Sequence, residues 1–179
     1  MKDLLLFDVD NTLTISRGTI TSEMITCLKR LSSKYDIGCV SGSDLPKMSE
    51  QLKEAIHYVT WKFTENGLVT YFDSQHTPFS KVSFVEQIGE ERYQQLVNKA
   101  LHILSTIVLP IKRGVFLELR TGLLNICPIG RSCTQQERDQ FTEYDKKAGI
   151  RKQICESVTK YSIVVLLCKL TILYLLLFL

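Results

Sequence analysis

The chain has 179 residues, of which 45% are hydrophobic and 23% charged, and its formal net charge is +3. This composition excludes a polar disordered chain and a low-complexity or collagen-like one. It shows no cluster of basic residues with aromatic partners, so we expect no nucleic-acid partner. The six cysteines lack zinc-ligand spacing, and the acidic N-terminal sequence is not a secretory signal. We therefore expect a cytoplasmic protein with free thiols.

The N-terminal pattern predicts alternating strands and helices. The first apolar run, residues 4–9, is interrupted only by Asp8 and predicts a strand buried on both faces, as in a parallel sheet. A helix capped by Thr21 is predicted from Ser22, and a second strand at residues 37–40. Apolar residues at helical spacing from Leu45 predict a second helix. Together these elements form a βαβ unit with polar residues at both strand ends.

The pattern changes after residue 83. Before it, residues 58–63 and 68–72 predict two strands joined by a turn at residues 65–67, and residues 77–83 are expected to be an irregular boundary. Beyond it we predict a small α+β region. Its elements are an amphipathic helix over residues 96–108, including Leu101 and Val108, a two-faced strand over residues 115–120, a returning strand over residues 123–127, and a helix opened by a capping box at residues 134–137.

Two carboxylates, Asp8 and Asp10, stand at the C-terminal end of the first predicted strand, where open α/β sheets bind ligands. Close carboxylates repel, and Mg²⁺ is a cation suited to neutralising them. One can then form an aspartyl-phosphate while the other moves a proton. The alternative is an acidic pair that merely ends a strand. Ser43 lies in a segment that can cradle a phosphate, although helix capping is the simpler explanation of that segment alone.

Four segments, FDVDNTLT, CVSGSD, FTENGLV and KRGVFLELRTGLLNICPIGRSCTQQER, together resemble the eukaryotic phosphomannomutases of the haloacid dehalogenase superfamily. The resemblance covers about residues 4–160. It implies an α/β fold in which a haloacid dehalogenase-like Rossmannoid core carries an inserted α+β cap domain, both incomplete at the C-terminus. Residues 1–78 would be the N-terminal part of the catalytic core, residues 79–160 a partial cap that binds sugar phosphate, and residues 161–179 a hydrophobic tail that does not match the family.

The same resemblance implies a reaction and its residues. Asp8 would be the nucleophile and Asp10 the general acid/base, and both would hold Mg²⁺, Asp10 through its main-chain carbonyl. The implied substrate-binding residues are Arg17, Ser43, Arg120, Asn125, Arg131 and Arg138. The reaction would interconvert mannose 6-phosphate and mannose 1-phosphate, feed GDP-mannose synthesis, and use a hexose 1,6-bisphosphate as activator and intermediate. A homodimer through the cap is also implied. A sugar-phosphate phosphatase and a catalytically inactive, truncated or membrane-tethered fragment remain as alternatives.

The sequence departs from the family pattern in two places. Asn11 stands where the family usually has Gly, and Asn tolerates a left-handed backbone better than most residues. No Asp or Glu follows Glu156, so we expect the later acidic metal ligands and late core strands to be missing. The first strand would then be an unpaired edge, and the chain aggregation-prone or dependent on a partner. Residues 162–179 hold 15 hydrophobic residues and one charge, Lys169, which favours a replaced C-terminal part over a membrane anchor.

Overall fold

The computed structural model describes residues 2–159, and the chain divides into two compact units between Val82 and Ser83. The first unit contains β1 (Leu4–Asp8), α1 (Ser22–Ser32), β2 (Asp36–Val40), α2 (Leu45–Leu52), β3 (Trp61–Thr64), β4 (Val69–Phe72) and β5 (Ser80–Lys81). The second contains α3 (Phe84–Ile88), α4 (Glu90–Thr106), β6 (Leu117–Leu119), β7 (Leu124–Ile126), α5 (Gln135–Ala148) and α6 (Ile150–Thr159). The assignment of these units to a catalytic core and an inserted cap stays a prediction.

The first unit is built on one five-stranded sheet in the order β1-β2-β3-β4-β5. β1, β2 and β3 are parallel, whereas β4 and β5 are added antiparallel. The pairing of Asp8 with Val40 aligns the carboxyl ends of β1 and β2. The predicted α/β class, with parallel strands alternating with helices, is therefore confirmed.

The helices of this unit begin where the sequence predicts. Thr21 Oγ1 accepts a hydrogen bond from the Met24 N–H at 3.3 Å and caps α1. Asp44 Oδ1 caps α2 by accepting from the Lys47 N–H at 3.1 Å. The apolar faces of both helices pack with the sheet in one core, and burial there raises the pKa of the Cys39 thiol to about 12. The buried members of this core are Val9, Leu13, Ile20, Leu28, Ile37, Cys39, Met48, Leu52, Ala55 and Val59.

β1 is not buried on both faces, so that prediction is wrong. Leu5 and Phe7 pack against the core, but Leu4 and Leu6 are 49% and 56% exposed. The physical reason is position in the sheet, because within residues 2–159 the only strand paired with β1 is β2. β1 is thus an edge strand of the structure described for residues 2–159.

Of three further predictions for the first unit, the turn at residues 65–67 is confirmed, and the start of the third strand and the irregular segment at residues 77–83 are corrected. The third strand begins at Trp61 rather than at Tyr58. Tyr58 is the last residue of a 3₁₀ turn, Lys53–Tyr58, that packs against the core of this unit. The predicted turn after the third strand is confirmed, and Asn66 adopts a left-handed φ of 61° there. Residues 77–83 are not wholly irregular, since β5 pairs with β4.

The second unit has its own core and a two-stranded antiparallel ladder, β6 with β7. The capping box of α5 is confirmed, with Thr134 and Glu137 bonding reciprocally. The predicted limits of the other elements need correction. α4 ends at Thr106, leaving Val108 88% exposed, and Leu101 is 47% exposed. The strand over residues 115–120 shrinks to three residues because Val115 takes a left-handed φ of 58°.

No helix within residues 2–159 is long and apolar enough to cross a membrane. The predicted hydrophobic tail at residues 162–179, with its anchor alternative, lies outside the described residues.

Candidate active site

Asp8 and Asp10 flank a buried valine where β1 ends. The Val9 N–H donates to the Val40 carbonyl at 3.2 Å, while the Val9 carbonyl accepts the N–H groups of Leu13 and Thr14, each at 3.0 Å. The chain therefore curls into a tight turn directly after the strand, and Asn11 takes a left-handed φ of 61° in it. Burial raises the pKa of the Asp8 carboxyl, a backbone hydrogen bond at Val9 opposes this, and the charge of Asp10 adds to the rise.

The Asp10 carboxylate is held by two donors. Its Oδ1 accepts from the Arg17 backbone N–H at 2.6 Å and from Gln51 Nε2 at 2.9 Å. Gln51 is 1% exposed on α2, so its amide is fixed by the core. Sequence reasoning missed Gln51. The signal was a polar residue three positions after Met48, on the buried face of a predicted helix.

Ser43 lies in the loop after β2, and this loop is tied to the neighbouring turn. The Ser43 carbonyl accepts the Glu65 N–H at 2.9 Å, and the Ser41 carbonyl accepts the Asn66 N–H at 2.9 Å. The Ser43 N–H in turn donates to Ser41 Oγ at 3.1 Å. Because β1 and β2 are parallel neighbours, this loop and the Asp8 turn occupy the same edge of the sheet. The site residues brought to that edge are Asp8, Asp10, Arg17 and Ser43.

The other four predicted site residues lie together in the second unit. Glu118 Oε2 accepts from Arg120 Nε at 3.0 Å and lies 3.3 Å from Arg131 Nη1. Arg138 is 7% exposed and donates from Nη2 to the Arg131 carbonyl at 2.6 Å. Asn125 pairs with Glu118 across the ladder and is 2% exposed, and its Oδ1 has no hydrogen-bond partner among the described residues. Sequence reasoning missed Glu118, which joins the arginines.

The carboxylate oxygens of Asp8 and Asp10 suit a hard cation better than zinc. Residues 2–159 contain no group of three or more His, Cys, Asp or Glu side chains that could hold a metal ion. Asp8 and Asp10 supply oxygen only. Burial is the main cause of the raised Asp8 pKa and the charge of Asp10 adds to it, and a bound cation would offset both effects. Two such groups fit Mg²⁺, which keeps several waters and needs few protein ligands.

Comparison with known proteins decides the family. The sequence model described as "Eukaryotic phosphomannomutase" matches residues 24–166. The chain belongs to the eukaryotic phosphomannomutase family. It is 45% identical over 152 residues to a phosphomannomutase of Dendrobium officinale, 43% identical over 154 residues to one of Schizosaccharomyces pombe, and 42% identical over 162 residues to a probable phosphomannomutase of Caenorhabditis elegans.

The matches cover most of this chain but not most of its relatives. They span 84%, 84% and 88% of the chain, and 60%, 59% and 63% of the respective family members. The chain thus spans about three-fifths of the length of the curated relatives it matches.

Two solved structures with more distant sequences are also similar. A HAD subclass IIB sugar phosphatase is 16% identical with a TM-score of 0.49, covering 89% of this chain and 64% of that one. Trehalose-6-phosphate phosphatase of Aspergillus fumigatus is 18% identical with a TM-score of 0.44, covering 89% of this chain and 55% of that one. Similarity at this level adds nothing to the family assignment.

Proposed function

We propose that this chain acts as a phosphomannomutase, interconverting mannose 6-phosphate and mannose 1-phosphate. The observation that carries the proposal is the fixed Asp10 carboxylate beside Asp8 at the carboxyl end of a parallel strand. An acidic pair that merely ended a strand would not need a buried glutamine amide to orient one of its members. Membership of the phosphomannomutase family supports the same conclusion.

In the proposed reaction, Asp8 carries the phosphoryl group and Asp10 the proton. Phospho-Asp8 donates its phosphoryl group to O1 of mannose 6-phosphate, and Asp10 accepts the proton that the hydroxyl loses. The product is mannose 1,6-bisphosphate. When the bisphosphate turns round, the Asp8 carboxylate takes the other phosphoryl group, and Asp10 returns the proton to O6. Mannose 1-phosphate is released and phospho-Asp8 is restored, so protons and phosphoryl groups balance.

The remaining residues bind and orient substrate in this proposal. Ser43 and Arg17 would contact the transferring phosphate. Arg120, Arg131 and Arg138 would hold the phosphate that is not reacting, because a planar guanidinium binds phosphate through two hydrogen bonds and keeps its charge. Asn125 Oδ1, which has no hydrogen-bond partner within residues 2–159, would accept a hydrogen bond from a sugar hydroxyl, and this would offset the cost of burying it unpaired.

Further parts of the proposal follow from the family. Asp8 and the Asp10 main-chain carbonyl would hold Mg²⁺, which neutralises charge on the transferring phosphate when bound. A hexose 1,6-bisphosphate would prime the enzyme by phosphorylating Asp8. The product would supply GDP-mannose synthesis in the cytoplasm, and two copies would associate through the second unit.

The test is turnover of mannose 1-phosphate with Mg²⁺ and catalytic glucose 1,6-bisphosphate, comparing the parent chain with Asp8→Asn. Because Asp8 is the nucleophile, we expect the variant to lose activity by about 10⁴-fold or more. Asp36→Asn is the matched control. Asp36 begins β2, at the amino ends of the parallel strands and so away from Asp8, and its replacement should leave turnover unchanged.

Other outcomes would contradict the proposal in distinguishable ways. Release of inorganic phosphate without isomer formation would identify a sugar-phosphate phosphatase. No turnover by the parent chain would identify an inactive fragment. Full activity of Asp8→Asn would remove Asp8 from the mechanism.

A further inference from the structure

Glu118 is the acidic residue that contacts two of the arginines in the second unit. A single oxygen, Oε2, accepts a hydrogen bond from Arg120 Nε at 3.0 Å and forms an ion pair with Arg131 Nη1 at 3.3 Å. The three side chains are 33%, 13% and 31% exposed, respectively. Water screens such partly withdrawn charges less than it screens pairs on an open surface, so this carboxylate has more influence on the guanidiniums than an ordinary surface ion pair.

The position of Glu118 follows from the local backbone. It lies on β6 directly opposite Asn125 on β7, and opposite residues of an antiparallel pair project from the same face. Arg120 follows two residues later, and its N–H continues the ladder by donating to the Leu123 carbonyl at 2.9 Å. Residues two apart along an extended strand project from the same face, so the backbone itself places Arg120 beside Glu118.

Arg131 reaches the same carboxylate from a second direction. Its N–H donates to the Val115 carbonyl at 2.9 Å, and its carbonyl accepts from Arg138 Nη2 at 2.6 Å. The main-chain carbonyl of Arg131 thus anchors Arg138, while the Arg131 side chain contacts Glu118. Glu118 is the common point of contact for the side chains of Arg120 and Arg131.

The negative charge of Glu118 offsets the repulsion between the guanidiniums of Arg120 and Arg131. Adjacent guanidiniums repel, and without an anion between them their long side chains would separate and sample many rotamers. A carboxylate at the base of the pair removes that cost before a ligand arrives. Since a guanidinium carries five donors in a rigid fork, it can contact a carboxylate and a phosphate at the same time.

We propose that Glu118 is a positioning residue that holds Arg120 and Arg131 in the arrangement that binds the phosphate monoester of a sugar phosphate. This inference rests on the proposed function, because that function makes the arginines the phosphate site. Glu118 does not contact the phosphate itself. It acts through the arginines, by fixing them in place and neutralising part of their mutual repulsion.

The test measures binding by calorimetry for the parent chain and Glu118→Gln, with inorganic phosphate and with mannose 6-phosphate. The amide keeps the size of the side chain but removes its charge. We expect affinity for both ligands to fall by about tenfold, with the thermal midpoint shifted by no more than about 2 °C. Glu91→Gln makes the same charge change on the exposed start of α4 and should bind both ligands like the parent chain.

A second readout follows the arginines directly. In ¹⁵N spectra of the parent chain, the Arg120 Nε–H signal should exchange slowly with solvent and move when phosphate is added. It should lose that protection in Glu118→Gln. Glu118→Asp keeps the charge on a shorter side chain and should restore part of the affinity, so it also serves if the glutamine variant folds poorly. A purely structural role would lower stability while leaving the phosphate affinity of the folded protein unchanged.

Failure of this inference is separable from failure of the proposed function. If the parent chain binds inorganic phosphate but neither binds nor converts mannose 6-phosphate, the proposed function fails, while the phosphate affinities still test Glu118. Unchanged or tighter phosphate binding by Glu118→Gln overturns the positioning role. Failure of the parent chain to bind either anion also overturns it, whatever the turnover assay shows.

Discussion

Gly130 lies in the turn before α5, next in the chain to Arg131. Its φ is 85°, and a Cβ built there would stand 2.5 Å from the Gly114 carbonyl oxygen and 2.7 Å from backbone atoms of Arg113. The neighbours are main chain and cannot move aside as a side-chain end would. The Arg113 N–H also donates to the Ile129 carbonyl at 2.7 Å, so the two segments are joined at this point. A glycine is required here for both its left-handed backbone and its small size.

We predict that Gly130→Ala lowers the free energy of unfolding by about 3 kcal/mol or more, because it adds a backbone clash to left-handed strain. Gly149→Ala is the matched control. Gly149 also has a positive φ, 63°, but a Cβ there would meet nothing within 4 Å, so the expected cost is about 1 kcal/mol from strain alone. Urea unfolding of the three proteins measures both values. Equal losses for the two variants would show that the close approach at Gly130 is unimportant.

At the scale of single elements, α5 matters for the proposed phosphate-binding arginines, Arg120, Arg131 and Arg138, because it carries Arg138 near its start. Its start is fixed by reciprocal bonds, in which Thr134 Oγ1 accepts from the Glu137 N–H at 3.2 Å and Glu137 Oε2 accepts from the Thr134 N–H at 2.8 Å. Arg113 Nε adds a contact to Glu137 Oε1 at 2.9 Å. The backbone hydrogen bond from Thr134 and the hydrogen bond from the Arg113 guanidinium together lower the pKa of the Glu137 carboxyl. A charged Glu137 therefore completes the helix start at neutral pH.

We predict that Thr134→Ala destabilises the chain by about 1 kcal/mol, since it leaves the Glu137 N–H without its capping oxygen. Thr142→Ala makes the same change within the helix. There Oγ1 only donates to the Arg138 carbonyl, which already belongs to the helix, so the greater helix propensity of alanine should leave stability nearly unchanged. Thermal unfolding followed by circular dichroism compares the pair. A larger loss for Thr142→Ala would contradict the capping argument.

Local patterns explain which elements the sequence predicts well. A capping box, a helical apolar stripe and a turn with Asn-Gly each lie within a few residues, so the starts of α1, α2 and α5 and the turn after β3 are predicted correctly. The helical spacing that extends to Ile56 is not followed, because α2 ends at Leu52 and a 3₁₀ turn replaces it. The late start of β6 is not predicted, because the left-handed residue that precedes it is Val115, a β-branched residue that rarely adopts this backbone. α3 has only five residues and is too short to show a periodic pattern, whereas the helical spacing of Ile150, Ile154 and Val158 in α6 was overlooked.

Contacts between distant segments explain what the sequence does not predict at the site. The position of the carboxylates at a strand end and the family resemblance of the arginines predict these residues, but neither predicts the groups that support them. Gln51 is 41 residues from Asp10, and the pairing of Glu118 with Arg131 depends on ladder register and on a turn in another segment. Residue type and spacing along the chain contain neither fact.

At the scale of the whole molecule, the burial of β1 depends on which strands lie beside it. Its residues are apolar enough for a central strand, yet in the part of the chain that the structure describes it pairs on one side only. Its side chains divide accordingly, with Leu5 and Phe7 against the core and Leu4 and Leu6 exposed. An edge strand with exposed leucines is a site at which chains add to one another, and natural proteins protect such edges with lysine.

We predict that Leu6→Lys reduces self-association of the purified chain while changing its free energy of unfolding by less than about 1 kcal/mol. Leu6 is 56% exposed, so little burial is lost, and a charge on the edge opposes pairing with a second chain. Leu5→Lys is the matched control one residue away. Leu5 packs against the core, so its replacement buries a charge and should cost about 2 kcal/mol or more. Light scattering at raised protein concentration and urea unfolding measure the two effects. If Leu6→Lys associates as fast as the parent chain, β1 is not the surface through which chains aggregate; if it unfolds as easily as Leu5→Lys, Leu6 is buried in solution.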